Sequence, residues 1–93
     1  MKVHGTQLIE KFQVRHAPSA SRLAAWTATM RGNDYCSLVD LKEHFQQADL
    51  VGDRVVFNIG STYRLIAMVD FSFKIVLVQW IGTHAEYSKA DGK

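Results

Sequence analysis

The sequence predicts an α+β fold: N-terminal helices packed on one face of an antiparallel sheet of three or four strands. Two observations carry this reading. Up to Asp49 the apolar residues recur at helical spacing, and beyond it they alternate with period two. A run of helices followed by a run of strands is the α+β pattern, unlike the alternation that builds a parallel sheet. The length, 93 residues without repeat, low-complexity tract or Pro/Gly-rich linker, fits one domain spanning 1–93.

The elements follow in order. Met1 to His4 offers a short strand anchored by Val3. Thr6 is placed to cap a helix that carries Leu8, Ile9 and Phe12 on one stripe. Pro18 suits the first turn of a second helix, where a missing N–H costs nothing. In that helix Leu23, Trp26 and Met30 fall at i, i+3 and i+7 and define a buried face, and Gly32-Asn33 stops it. Ser37-x-x-Asp40 resembles a capping box opening a short third helix through Leu38, Leu41 and Phe45.

The strands come next. Arg54 to Ile59 alternates Val55, Phe57 and Ile59 against Arg54, Val56 and Asn58. Tyr63 to Val69 alternates Tyr63, Leu65, Ala67 and Val69 against Arg64, Ile66 and Met68. Gly60-Ser61-Thr62 joins them as a hairpin. A two-residue loop would set Arg64 opposite Phe57, on the core face. A three-residue loop pairs Asn58 with Arg64 and Ile59 with Tyr63, and keeps each face consistent. A last strand, Lys74 to Ile81, is nearly continuous Ile-Val-Leu-Val and reads as central and buried on both faces. Phe71-Ser72-Phe73 forms the turn before it, Gly82 ends it, and Thr83 caps a final helical turn through Tyr87. The face of the sheet away from the helices then carries Arg54, Asn58 and Arg64.

Composition narrows the classes of function. At 47% hydrophobic the chain can fill a core without staples, and the single cysteine, Cys36, excludes an intramolecular disulfide and suits a reducing compartment. No run approaches the roughly 20 apolar residues of a membrane span, and the N-terminus lacks the apolar stretch of a secretory signal. The expectation is a cytoplasmic protein with no membrane partner. A formal net charge of +2 permits an anionic partner but is too small for tight, non-specific nucleic-acid binding. Any RNA contact must come from the placement of a few cations.

The chemistry concentrates after the last strand. His84 and Tyr87 are three apart, so one helical turn sets them on one face. Histidine titrates nearest neutrality and suits proton transfer. Tyrosine donates a hydrogen bond or, with a lowered pKa, acts as a base. Arg64 brings a planar, permanently charged fork that matches a phosphate. Together these are the parts needed to cut RNA without a metal or other cofactor. The plainer reading is a His and a Tyr that cap the core beside a solvated Arg. Elsewhere His4, His16, His44 and Cys36 lack metal-ligand spacing, and Ser61 beside Gly60 lacks the surroundings of a hydrolase nucleophile. Trp26 belongs to a buried stripe, Trp80 can face either way, and Lys42-Glu43-His44 reads as a solvated face.

Three segments in order carry a family resemblance: Asp49-Leu50-Val51-Gly52-Asp53-Arg54-Val55-Val56-Phe57-Asn58-Ile59-Gly60, Tyr63-Arg64-Leu65-Ile66-Ala67, and Ile81-Gly82-Thr83-His84-Ala85-Glu86-Tyr87. The combination resembles the HigB family of type II toxins, and the likeness extends more weakly through the helical half. It implies a RelE-like fold and an mRNA endoribonuclease, an mRNA interferase acting on ribosome-bound messages. It also implies a HigA-like helix-turn-helix antitoxin encoded alongside. Arg64, His84 and Tyr87 fall in the family's active region, and Arg54 and Lys74 become candidate contacts to RNA phosphates. Relatives carry a longer, more basic hairpin, Gly-Gly-Asn-Lys before Tyr-Arg, where this chain has Gly60-Ser61-Thr62. They often have Arg where Gln79 stands, and an acidic residue where Ser88 follows Tyr87. These departures motivate an alternative: a degenerate, non-catalytic toxin that only binds its antitoxin.

Overall fold

A computed structural model describes residues 1–91. Strand β1, Lys2–His4, turns at Gly5 into helix α1, Thr6–Arg15. The cap residue of α1 is Gly5, at φ 84°, and the expected cap Thr6 is already helical. Glycine is required there twice over: the left-handed backbone disfavours a side chain, and a Cβ would meet the Val78 carbonyl oxygen at 2.5 Å. Helix α1 buries Ile9 and Phe12. Pro18 sits in a 3₁₀ turn, Ala17–Ser19, whose Ser19 hydroxyl donates to the His16 carbonyl at 2.6 Å. Helix α2, Ala20–Arg31, buries Leu23, Trp26 and Met30, the stripe read from its spacing, and ends at Gly32. In the short helix α3, Leu38–Leu41, the Ser37 hydroxyl accepts from the Asp40 N–H. The Asp40 carboxylate bonds the N–H of Cys36, one residue before the partner that a full capping box would use.

Five strands, one or two more than the periodicity suggests, form the sheet: β1, then β2 (Asp49–Val51), β3 (Arg54–Ile59), β4 (Tyr63–Asp70) and β5 (Ile75–Thr83), in the order β1-β5-β4-β3-β2. Four run antiparallel to their neighbours in sequence, and β1 joins the far side of β5 in parallel. The β3–β4 hairpin has the expected register, Asn58 against Arg64 and Ile59 against Tyr63. β2 escapes notice in the sequence because all three of its residues are exposed, so no apolar alternation marks it. It pairs Val51 with Arg54 across Gly52-Asp53, and Gly52 alone takes positive φ, as a II′ turn asks of its first central residue.

The helices cover one face. Leu23, Trp26 and Met30 meet Phe57, Leu65, Ala67, Val76 and Val78 in a single buried cluster. Phe57 lies edge-on to both Trp26 and Phe45, with centroids 5.4 and 5.3 Å away. The opposite face departs from expectation. Of its polar residues, Asn58 and Arg64 sit together at the hairpin end and Arg54 at the other end of β3. Between the two ends Val56, Ile66 and Trp80 form an apolar row across three strands, followed by Met68 beside Leu77. Leu77 is 41% exposed, so β5 is covered by helices on one face only. β4, not β5, is the central strand, and β5 continues through Gly82 to Thr83. Cys36 is exposed.

Candidate functional site

The site is built where the β3–β4 hairpin meets the end of β5. Arg64 on β4 pairs with Gly82 on β5, and Tyr63 with Thr83. The next residue, His84, opens helix α4, His84–Asp91, and its N–H donates to the Thr62 carbonyl of the hairpin loop at 2.6 Å. One hydrogen bond thus pins the start of α4 to the loop that precedes Arg64. Thr83 and Glu86 close a reciprocal capping box: the Thr83 N–H donates to Glu86 Oε1 at 2.8 Å, and the Glu86 N–H donates to Thr83 Oγ1 at 3.1 Å. This fixes the first turn of α4, so His84 and Tyr87, three apart, share a face as the sequence spacing requires.

Arg64 is half-buried, and its Nη1 donates to its neighbour's carbonyl, Tyr63 O, at 3.2 Å. That single bond orients a fork whose other N–H groups remain for an anion. His84 is exposed and Tyr87 half-buried. The three residues expected to carry chemistry therefore stand around Gly82 at one end of the sheet. The two expected phosphate contacts do not join them. Arg54 opens β3, four residues and about 13 Å along the strand from Asn58. Lys74 precedes β5, eight residues or about 26 Å from Gly82, and its ammonium donates to the Tyr35 carbonyl at 3.0 Å.

Other groups gather at the site that spacing alone did not single out. Arg22, exposed on α2, lays its side chain against the hairpin: a Cβ on Gly60 would meet Arg22 Cδ, Nε and Cζ at 2.9, 3.0 and 3.1 Å. A guanidinium from the helical layer thus stands at the hairpin tip, whose own residues, Gly60-Ser61-Thr62, carry no charge. His16, stacked on Phe12 at 4.4 Å, meets the edge of Tyr63 at 5.8 Å. No local motif links either residue to His84, because only the packing of α1 and α2 brings them near.

The Glu86 carboxyl is held below its ordinary 4.5, chiefly by the Thr83 N–H, with the Thr83 hydroxyl and the positive charges of His16 and Arg15 adding to the effect. A carboxylate lowered in the folded state stabilises fully above its unfolded value and loses that contribution as pH falls through the folded one. Helix α4 is therefore expected to fray as pH drops below about 4.5, seen as a smaller protection of the Glu86 amide relative to intrinsic exchange. Thr83→Ala should cost about 0.5–2 kcal/mol at neutral pH. In Glu86→Gln the protection, corrected for intrinsic exchange, should lose its acid dependence; if that dependence survives, a different group controls the helix start.

A helical layer on one face of a mostly antiparallel sheet, with a His, a Tyr and an Arg gathered at one sheet end, is the architecture expected of a RelE-like toxin. The sequence model of the HigB_toxin family, described as a RelE-like toxic component of a toxin-antitoxin system, matches residues 19–90. The chain belongs to that family and is a toxin whose system supplies an antitoxin partner. The match spans α2 and the sheet strands β2 to β5 with the start of α4, while β1, α1 and His16 precede it. Among curated proteins, none matches the chain. Among the described residues, no helix is long and apolar enough to cross a membrane.

Proposed function

We propose that this toxin is an endoribonuclease that cuts mRNA, on the ribosome, without a metal. The observation that carries the reading is the gathering of Arg64, His84 and Tyr87 around Gly82, through the Arg64–Gly82 pairing and the bond from His84 to the hairpin. A base among His84 and Tyr87 takes the 2′-OH proton, and the 2′-oxygen attacks the adjacent phosphorus. Arg64 stabilises the charge that builds on the phosphorane oxygens. The other of the pair protonates the 5′-oxygen as the P–O5′ bond breaks, leaving a 2′,3′-cyclic phosphate and a 5′-hydroxyl. Arg22 at the hairpin tip favours this reading over a degenerate toxin that only binds its antitoxin, since it supplies a cation where the hairpin itself has none. On this reading Arg54 and Lys74 contact phosphates away from the cut, and the partner is a HigA-like helix-turn-helix protein.

Induction without an antitoxin should arrest growth and produce discrete 5′ ends in cellular mRNA, mapped by primer extension. His84→Ala should abolish those ends while its circular dichroism stays native. Soluble wild-type protein that yields no new ends would favour the non-catalytic alternative, and a fully active His84→Ala protein would remove His84 from the chemistry.

A further inference from the structure

Trp80 stands on the sheet face opposite α1 and α2, beside the start of α4, and a β-bulge puts it there. Val78 pairs with Ala67, yet Trp80 pairs with Ile66, so Gln79 is an extra residue in β5. In a regular strand Val78 and Trp80 would share a face, because residues two apart do. The extra residue instead sends Trp80 to the open face, the kind of redirection bulges provide beside functional sites. There the indole lies over Gly82. A Cβ at that position would collide with Trp80 Cη2 and Cζ2, so only glycine leaves the ring room to lie down. The Tyr87 ring is 6.3 Å away, tilted by 51°. Arg64 is directly across from Gly82. An aromatic ring half-open to solvent thus lies beside Tyr87, on the face that carries Arg64 one strand away.

We infer that Trp80 is a stacking platform for one unpaired nucleobase of single-stranded RNA, beside the phosphate held by Arg64. The inference rests on the nuclease reading above and names how the substrate is positioned. The chemistry fits a nucleobase better than an apolar side chain. A flat π-face suits stacking on indole, and the attached phosphate finds a fixed cation one strand away. Glu86 Oε1 stands 2.9 Å from where a Gly82 Cβ would be, but its carboxylate is already bonded to the Thr83 N–H. Apolar Ile66 and Val56 continue the row, so the base is seated against a dry flank. Trp80 in this role touches substrate without exchanging a proton. It is a positioning residue.

The chain has two tryptophans, and Trp26 is buried, so quenching of tryptophan emission by an added oligonucleotide reports on Trp80. The probe is a short 2′-O-methyl oligoribonucleotide, which cannot be cut, compared with the same strand made abasic. The base-bearing strand should quench and bind; the abasic strand should bind more weakly by about fivefold to a hundredfold, the usual worth of one stacked base. Trp80→Leu should weaken the base-bearing strand by a similar factor, and Trp80→Phe should restore most of the affinity. Equal binding of the two strands, or undiminished binding by a folded Trp80→Leu protein, overturns the platform. If Trp80→Leu does not fold, the comparison of strands on the wild-type protein decides. Cleavage of unmodified mRNA bound to ribosomes separates the two readings. Base-dependent binding without cleavage keeps the platform and removes the nuclease, whereas cleavage with base-independent binding removes the platform alone.

Discussion

Arg64→Ala is expected to slow RNA cleavage by about 10²–10³-fold in single-turnover assays, the usual cost of losing one preorganised group that stabilises transition-state charge. The size follows from placement. The guanidinium is half-buried, tied by one bond to the Tyr63 carbonyl, and directly opposite Gly82, so it is in position before substrate arrives. Arg64→Lys should recover only part of the loss, because an ammonium keeps the charge but not the planar fork. The fold should survive, since the side chain lies on the face away from the helical core. A folded Arg64→Ala protein cutting within about threefold of the wild-type rate would be incompatible with charge stabilisation of the usual size by this residue.

The second large effect concerns stability. Phe57→Ala should cost about 3–5 kcal/mol, the range for deleting a fully buried phenyl ring. Phe57 is 1% exposed and is the ring on which Trp26 and Phe45 both pack edge-on. Its loss would open a cavity between α2 and the sheet that a rigid β3 backbone cannot collapse to fill. Total stabilities run about 5–15 kcal/mol, so this one truncation removes a large share. At about 4–8 °C per kcal/mol for a chain of this size, the melting midpoint should fall by more than 10 °C. Met68→Ala, on the uncovered face, should change stability by no more than about 0.5 kcal/mol. Comparable losses in both variants would show that the open face is covered in solution.

How legible these features were depends on whether burial or insertion decides them. The β3–β4 register could be argued from sequence because a one-residue error would have put Arg64 among the core residues, and the observed pairing agrees. Trp26, Leu23 and Met30 were legible for the same reason: a helix with one buried face writes that face into its spacing. β2 was not, since Asp49, Leu50 and Val51 are exposed and only the Gly52-Asp53 pair signals its turn. The bulge at Gln79 left no mark either. Val78-Gln79-Trp80 reads as ordinary alternation, and the shift appears only when β5 is laid against β4. At the site, His84 and Tyr87 could be paired by local spacing, while Arg22 and His16 arrive through the packing of distant helices. Thr83-x-x-Glu86 explains why Glu86 belongs to the segment: it holds the helix start.

The parallel pairing of β1 with β5 sets a schedule for synthesis. Lys2 pairs with Ile75, 73 positions later, so β1 has no neighbour until β5 emerges. Chains are made from the N-terminus at roughly 5–20 residues per second, and the helical layer is complete seconds before β5 exists. Gly82, Trp80 and His84 all belong to that final stretch. A nascent toxin therefore holds most of its core while still lacking its candidate site. On the proposed reading, cleavage therefore waits until β5 has joined the sheet.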